Sequence, residues 1–108
     1  MSLEDDIESQ LKRDKRTLER GKSLQRLLNS SDFKSVIVNG FLREYALHLV
    51  YQRADSTEVA DITSRKIDAV AEFKAYLDKI LEEAATAQKS VDESTDALVK
   101  IRNHEDEA

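Results

Sequence analysis

Ser35-Val36-Ile37-Val38-Asn39-Gly40-Phe41-Leu42 is the stretch that decides how this chain folds. Asn-Gly between two apolar runs is a strong hairpin signal, because both residues tolerate the positive φ of a type I′ turn. The same eight residues also fit inside a helix that carries a glycine. Their neighbours favour the helix. Phe33, Val36, Ile37, Gly40 and Phe41 recur at the i, i+3, i+4, i+7, i+8 spacing of one helical face, and Leu47 and Tyr51 extend it. The spacing passes through Asn39-Gly40 without a change of phase. The residues after Gly40, FLREYALHLVYQRA, do not sustain the alternation of a second strand. A lone hairpin would also be marginal. Val38, Leu42, Tyr45 and Leu49 make a second apolar strip, so this helix is expected to be the central element, buried on more than one side. Gly40 is expected to let another helix come close, since it lacks a side chain.

The composition agrees with helices. The chain has 108 residues, no proline and two glycines, and 36% of it is charged. Turn residues are too scarce for an all-β fold, and one domain is the upper bound at this length. Cysteine is absent, which excludes disulfides, thiolate metal sites and thiol nucleophiles. No apolar run approaches the ~20 residues that span a bilayer. The acidic LEDDIE after Met1 is unlike a secretory signal. The expectation is a soluble intracellular protein with no membrane contact.

Three helices are expected, at about 3–28, 32–53 and 57–103, in a single domain covering 1–108. In the first, Leu3, Ile7, Leu11, Leu18 and Leu28 follow a helical stripe, and Gly21 lies on or near it. Gly21 would permit a close crossing or mark a kink. Ser2 with Asp5 resembles a capping box. Asn29-Ser30-Ser31-Asp32 is a turn-and-cap cluster. Asp55 with Glu58 suggests another cap, starting the third helix. From Lys66 onward the apolar spacing alternates three and four. Phe73, Ile80, Ala87 and Ile101 take one heptad position; Val70, Leu77, Ala84, Val91 and Leu98 take the other. About five heptads in this phase read as a coiled coil. The fold class is therefore all-α, a helical hairpin or three-helix bundle with a long C-terminal coiled-coil-like helix. The seam of Phe73, Leu77, Ile80, Ala84, Ala87, Val91 and Leu98 is expected to be core up to about residue 81. Beyond Ala84 it is expected to pack against another molecule, because the second helix is too short to reach that far.

Little points to enzyme chemistry. His48 and His104 are the only histidines, and no phosphate-loop, dinucleotide or zinc-protease motif is present. Glu44 falls on the apolar face with His48 one turn later, and a satisfied polar contact is the plainer reading of that pair. No cofactor or metal is expected. The clearest surface feature is basic. Lys12, Arg13, Lys15, Arg16, Arg20, Lys22 and Arg26 cluster on the first helix of a chain whose net charge is −5. Such a face can meet phosphates or an acidic protein. Aromatic residues for base stacking are missing from it, so nucleic acid is the weaker partner.

Residues 32–46, Asp-Phe-Lys followed by Ile37, Gly40-Phe41-Leu42, Glu44 and Ala46, resemble a group of small helical proteins of tailed bacteriophages. Those show a D-F-K-x-x-I-x-x-G-[FY]-[FL]-x-E-x-A pattern after a Leu-rich helix, here Leu24-Gln25-Arg26-Leu27-Leu28. The likeness covers mainly residues 24–50, with Phe33, Ile37, Gly40 and Phe41 as a packing motif. It implies a virion-associated or assembly protein, in the virion or the host cytoplasm, and transfers no catalytic residue. The expected function is non-enzymatic: a structural or assembly component that forms homo-oligomers or binds another protein. The competing classes are an effector that blocks a host polymerase or defence nuclease, and a nucleic-acid binder using the basic helix.

Overall fold

The computed structural model describes residues 2–107, with side-chain surroundings through residue 105. It is all-α, with no strand among the described residues. Helix α1 spans Leu3–Asn29, a single turn α2 spans Ser31–Phe33, a π-helix spans Lys34–Tyr45, α3 spans Ala46–Asp55 and α4 spans Ala60–Glu107. Helix α2, the π-helix and α3 run on as one composite second helix.

Local chemistry sets most of these ends. The Ser2 hydroxyl accepts the Asp5 N–H at 3.1 Å, and Glu4, Asp5 and Asp6 place negative charge at the positive end of the α1 dipole. Ser30 leaves the helical region (φ −74°, ψ 126°) and caps the second helix, its hydroxyl accepting the Phe33 N–H at 3.3 Å. At the next break the expected cap does not form. Asp55 is the last residue of α3, Ser56 is extended (φ −136°, ψ 113°), and α4 starts at Ala60 rather than near residue 57. Helix α4 has 48 residues, about 70 Å at a 1.5 Å rise.

Asn39-Gly40 makes no turn, since neither glycine has a positive φ. The helix is not the α-helix that the spacing predicts, however. Across Lys34–Tyr45 the bonding is i→i+5, so a turn takes more residues than an α turn. Inward positions then recur every four or five residues. Phe33, Ile37, Val38, Phe41, Leu42 and Ala46 are partly buried, and Leu49 is only 1% exposed. Val36, Leu47 and Tyr51 are 65%, 51% and 61% exposed. The buried face thus begins on the first apolar strip and ends on the second. The α-phase assignment of Val36, Leu47 and Tyr51 to the core is corrected by this change of pitch.

The chain forms two compact units. One joins residues up to Ser23 with those from Ile80 onward; the other is Leu24–Lys79. In the first unit α1 lies antiparallel to the end of α4. Arg102 faces Glu4 and Glu8 at 3.9 and 3.7 Å, Asp14 bonds Ser90, and Gly21 meets Ala84. In the second unit the composite helix packs on the start of α4. The Phe41 ring meets Phe73 edge-on, centroids 5.8 Å apart at 85°, a geometry worth about 0.5–1.5 kcal/mol beyond its buried area. Leu24, Leu49, Thr63 and Val70 are the buried residues of this unit.

The close crossing expected at Gly40 belongs to Gly21. A Cβ on Gly40 would meet only the Ser35 carbonyl of its own helix, at 3.0 Å. A Cβ on Gly21 would overlap the Ala84 Cβ. Gly21→Ala should therefore lower the melting temperature. The overpacking cost of about 1–3 kcal/mol outweighs a helix-propensity gain of about 1 kcal/mol. Adding Ala84→Gly should recover much of the loss in a circular-dichroism melt; no loss from Gly21→Ala would show that the two helices do not approach this closely.

Candidate protein-interaction surfaces

The long seam is a cis interface. Ala87 and Leu98 are 4% and 5% exposed, Ile80 is buried, and Phe73, Leu77, Ala84 and Val91 are partly buried. Intermolecular packing beyond Ala84 is corrected accordingly: α1 covers that stretch. The second helix is too short to reach that stretch, and α1, running back along the end of α4, lies over it. Near its N-terminal end the buried row runs through Thr63, Ile67 and Val70, while Lys66 is exposed. Thr63 keeps the heptad phase of Val70, and only the other position shifts by one, from Lys66 to Ile67.

Asp14 was hidden from sequence reasoning. It sits at helical spacing from Ile7, Leu11, Leu18 and Gly21; it is buried, as Gly21 is, while the three apolar side chains are partly buried. An acid in an apolar row carries its own signal, as a place where a polar partner must be supplied. Ser90 donates its hydroxyl to Asp14 Oδ2, and Gln10 donates to Oδ1 at 3.0 Å. No buried side-chain nitrogen or oxygen lacks a partner among the described residues. The arrangement favours one register of α1 on α4, since sliding either helix strands a buried carboxylate.

The packing motif is only partly buried. Phe33, Ile37, Gly40 and Phe41 are all of intermediate exposure, and Phe41 touches Phe73 and stacks on Tyr45 at 5.7 Å. Glu44 and His48 are both exposed, and His48 stacks on the Tyr45 ring at 6.4 Å. Among the described residues no group of three or more acids and histidines could hold a metal ion, and no helix is long and apolar enough to cross a membrane.

Two outward surfaces remain. Lys12, Arg13, Lys15, Arg16, Arg20, Lys22 and Arg26 are all exposed. Lys12, Arg13, Arg16 and Arg20 lie opposite the buried stripe by helical spacing. The second surface is apolar. Leu47, Val50 and Tyr51 are exposed on α3 at i, i+3, i+4 spacing, while Leu49 points inward. Comparison of the chain with protein-family models, with curated proteins and with solved structures finds no match to any of them.

Ser90→Ala should cost about 1–3 kcal/mol, because the buried Asp14 loses a donor. Asp14→Leu combined with Ser90→Ala should regain that loss or exceed the parent stability, since an apolar pair has no desolvation cost. Urea unfolding followed by circular dichroism measures both; a neutral Ser90→Ala would remove the registering role of the pair.

Proposed function

We propose that the chain is a non-enzymatic structural or assembly component, of the kind found in tailed bacteriophages, that works by helix-mediated contact between copies of itself. The observation that carries this reading is the outward row of Leu47, Val50 and Tyr51 on α3. These side chains are exposed on a helix whose other side already supplies Leu49 to the core. A contiguous apolar row on a charged surface marks an interaction site.

The row is too small to act alone. Its three side chains offer at most a few hundred Å², against about 800 Å² per partner in a stable interface. The other compact unit offers a separate contact by charge, and it too points to a second copy. Exposed Lys12, Arg13, Arg16 and Arg20 give α1 a positive outer face. Exposed Glu82, Asp92, Glu93 and Asp96 give the end of α4 a mainly negative one, interrupted by Lys89. Each copy therefore carries both halves of a complementary contact. The D-F-K motif resemblance supports the phage setting, in the virion or the host cytoplasm.

Light scattering on the full chain during size exclusion should give a mass of two or more copies at micromolar concentration. Leu47→Lys with Tyr51→Lys should give the single-chain mass with unchanged helicity. A single-chain mass for the parent at every concentration and salt tested overturns the reading. The exposed basic row of α1 favours one other reading, nucleic-acid binding. That reading predicts retention on DNA at low salt, falling steeply as salt rises and abolished by Arg13→Glu, Arg16→Glu and Arg20→Glu together.

A further inference from the structure

We infer that residues 34–45 are a register switch: the π register displays Leu47 and Tyr51, and an α register of the same residues withdraws them against α4. The regulatory half of this statement rests on the docking role proposed for the α3 row. The register half does not.

The sequence of the second helix holds two interleaved apolar sets. Phe33, Ile37 and Phe41 belong to both. Val38, Leu42, Ala46 and Leu49 complete the set that the π register turns inward. Val36, Gly40, Leu47 and Tyr51 complete the set that α spacing would turn inward. The three large side chains of the second set are each more than half exposed. An exposed valine, leucine and tyrosine are individually ordinary. Together they are the members of the α face that the π segment has turned out, while its other members stay partly buried.

The π segment is unusual in length. Such helices occur mostly as single-turn bulges, frequently at functional sites; this one has 12 residues. Its sequence is not committed to the wider turn. Leu42, Arg43 and Lys34 are good α formers, and Asn39 and Gly40 are poor ones at its middle. Gly40 also eases the π geometry. The Ser35 carbonyl, five residues back, would stand 3.0 Å from a Cβ at position 40. That close approach is tied to i→i+5 bonding. No atom of another helix lies near that Cβ, so changing Gly40 alters helix pitch without a clash against α4. Passing from π to α pitch through this segment rotates α3 about its axis relative to Phe33. Leu47 and Tyr51 turn toward α4, and Ala46 and Leu49 turn out. The covering partner for the exposed α set is thus this chain's own α4, and the π register frees that set for a second copy.

The absence of cysteine allows a direct test with single thiols in the full chain. Tyr51→Cys reports the outward position and Ala46→Cys the inward one, each read by its native-state maleimide labelling rate. In the parent background the thiol at position 51 should label fast and the thiol at position 46 slowly. Adding Gly40→Ala should speed labelling at position 46 severalfold, because a Cβ there crowds the Ser35 carbonyl under i→i+5 bonding, and should slow it at position 51. Asn39→Ala, at an exposed position, should move both rates the same way by less. General loosening accelerates the inward thiol without slowing the outward one, and only an exchange of faces moves them in opposite directions. Unchanged rates, or acceleration at both sites in both variants, overturn the inference. The two readings fail separately. Opposed rate changes in a chain that is always monomeric leave the register switch and remove the docking role. An oligomer lost on Leu47→Lys with Tyr51→Lys, without opposed rate changes, does the reverse.

Discussion

Helix α4 carries a largely apolar inward row from Thr63 to Ile101, and the structure depends on covering it. At ~1.5 Å per residue that row is roughly 55–60 Å long. Leaving it in water would forfeit about 25 cal/mol for every Å² of apolar surface. The second helix is too short to cover all of it. Two different stretches do the work, each within its own compact unit. Residues 31–55 cover the first part of α4, and residues 3–23 cover the last part.

The two interfaces solve the problem with opposite side-chain sizes. In one, Gly21 sits against Ala84, and the residues around the contact are small: Ala84, Ala85 and Ala87. Backbones there come close, and packing is gained from many short contacts rather than from a few large groups. In the other, Phe41 and Phe73 meet edge to face, which needs a wider separation. The slim interface is apolar enough to slide. Its register comes from polar groups: the buried Asp14 with Ser90, and Arg102 with Glu4 and Glu8 at the far end. The exposed ion pairs are worth little as stability, about 0–1 kcal/mol each, so Asp14 is the stronger constraint on alignment.

The second helix departs from simple periodicity because it serves two demands. Its first turns present Phe33, Ile37 and Phe41, and its last turns present Leu49. An α-helix cannot keep both ends inward, since the two groups lie on different α faces. The π segment joins them by advancing the inward position four or five residues at a time. The consequence is a surface. Leu47, Val50 and Tyr51 face outward because Leu49 faces inward, and the proposed docking role rests on this displaced face.

The sequence by itself determined a great deal. The absence of proline, the unbroken apolar spacing across Asn39-Gly40 and the heptads from Val70 to Ile101 specified an all-α chain with a long last helix. Ser2 and Ser30 marked caps that form, because a cap is a contact over three residues and is legible locally. The basic row of α1 was legible too, since exposed charges follow from helical phase alone. Tertiary structure decided the rest. Which helix covers the end of α4 depends on pairings far apart in the chain, and the heptad pattern is the same for a partner in cis or in trans. Gly21 and Gly40 look alike in sequence, and only packing made Gly21 the crossing point. Helical pitch at residues 34–45 was the deepest of these decisions. Two apolar strips were visible, but which one faces inward depends on the hydrogen-bond spacing that packing selects. That selection buried Leu49 and turned out Leu47 and Tyr51.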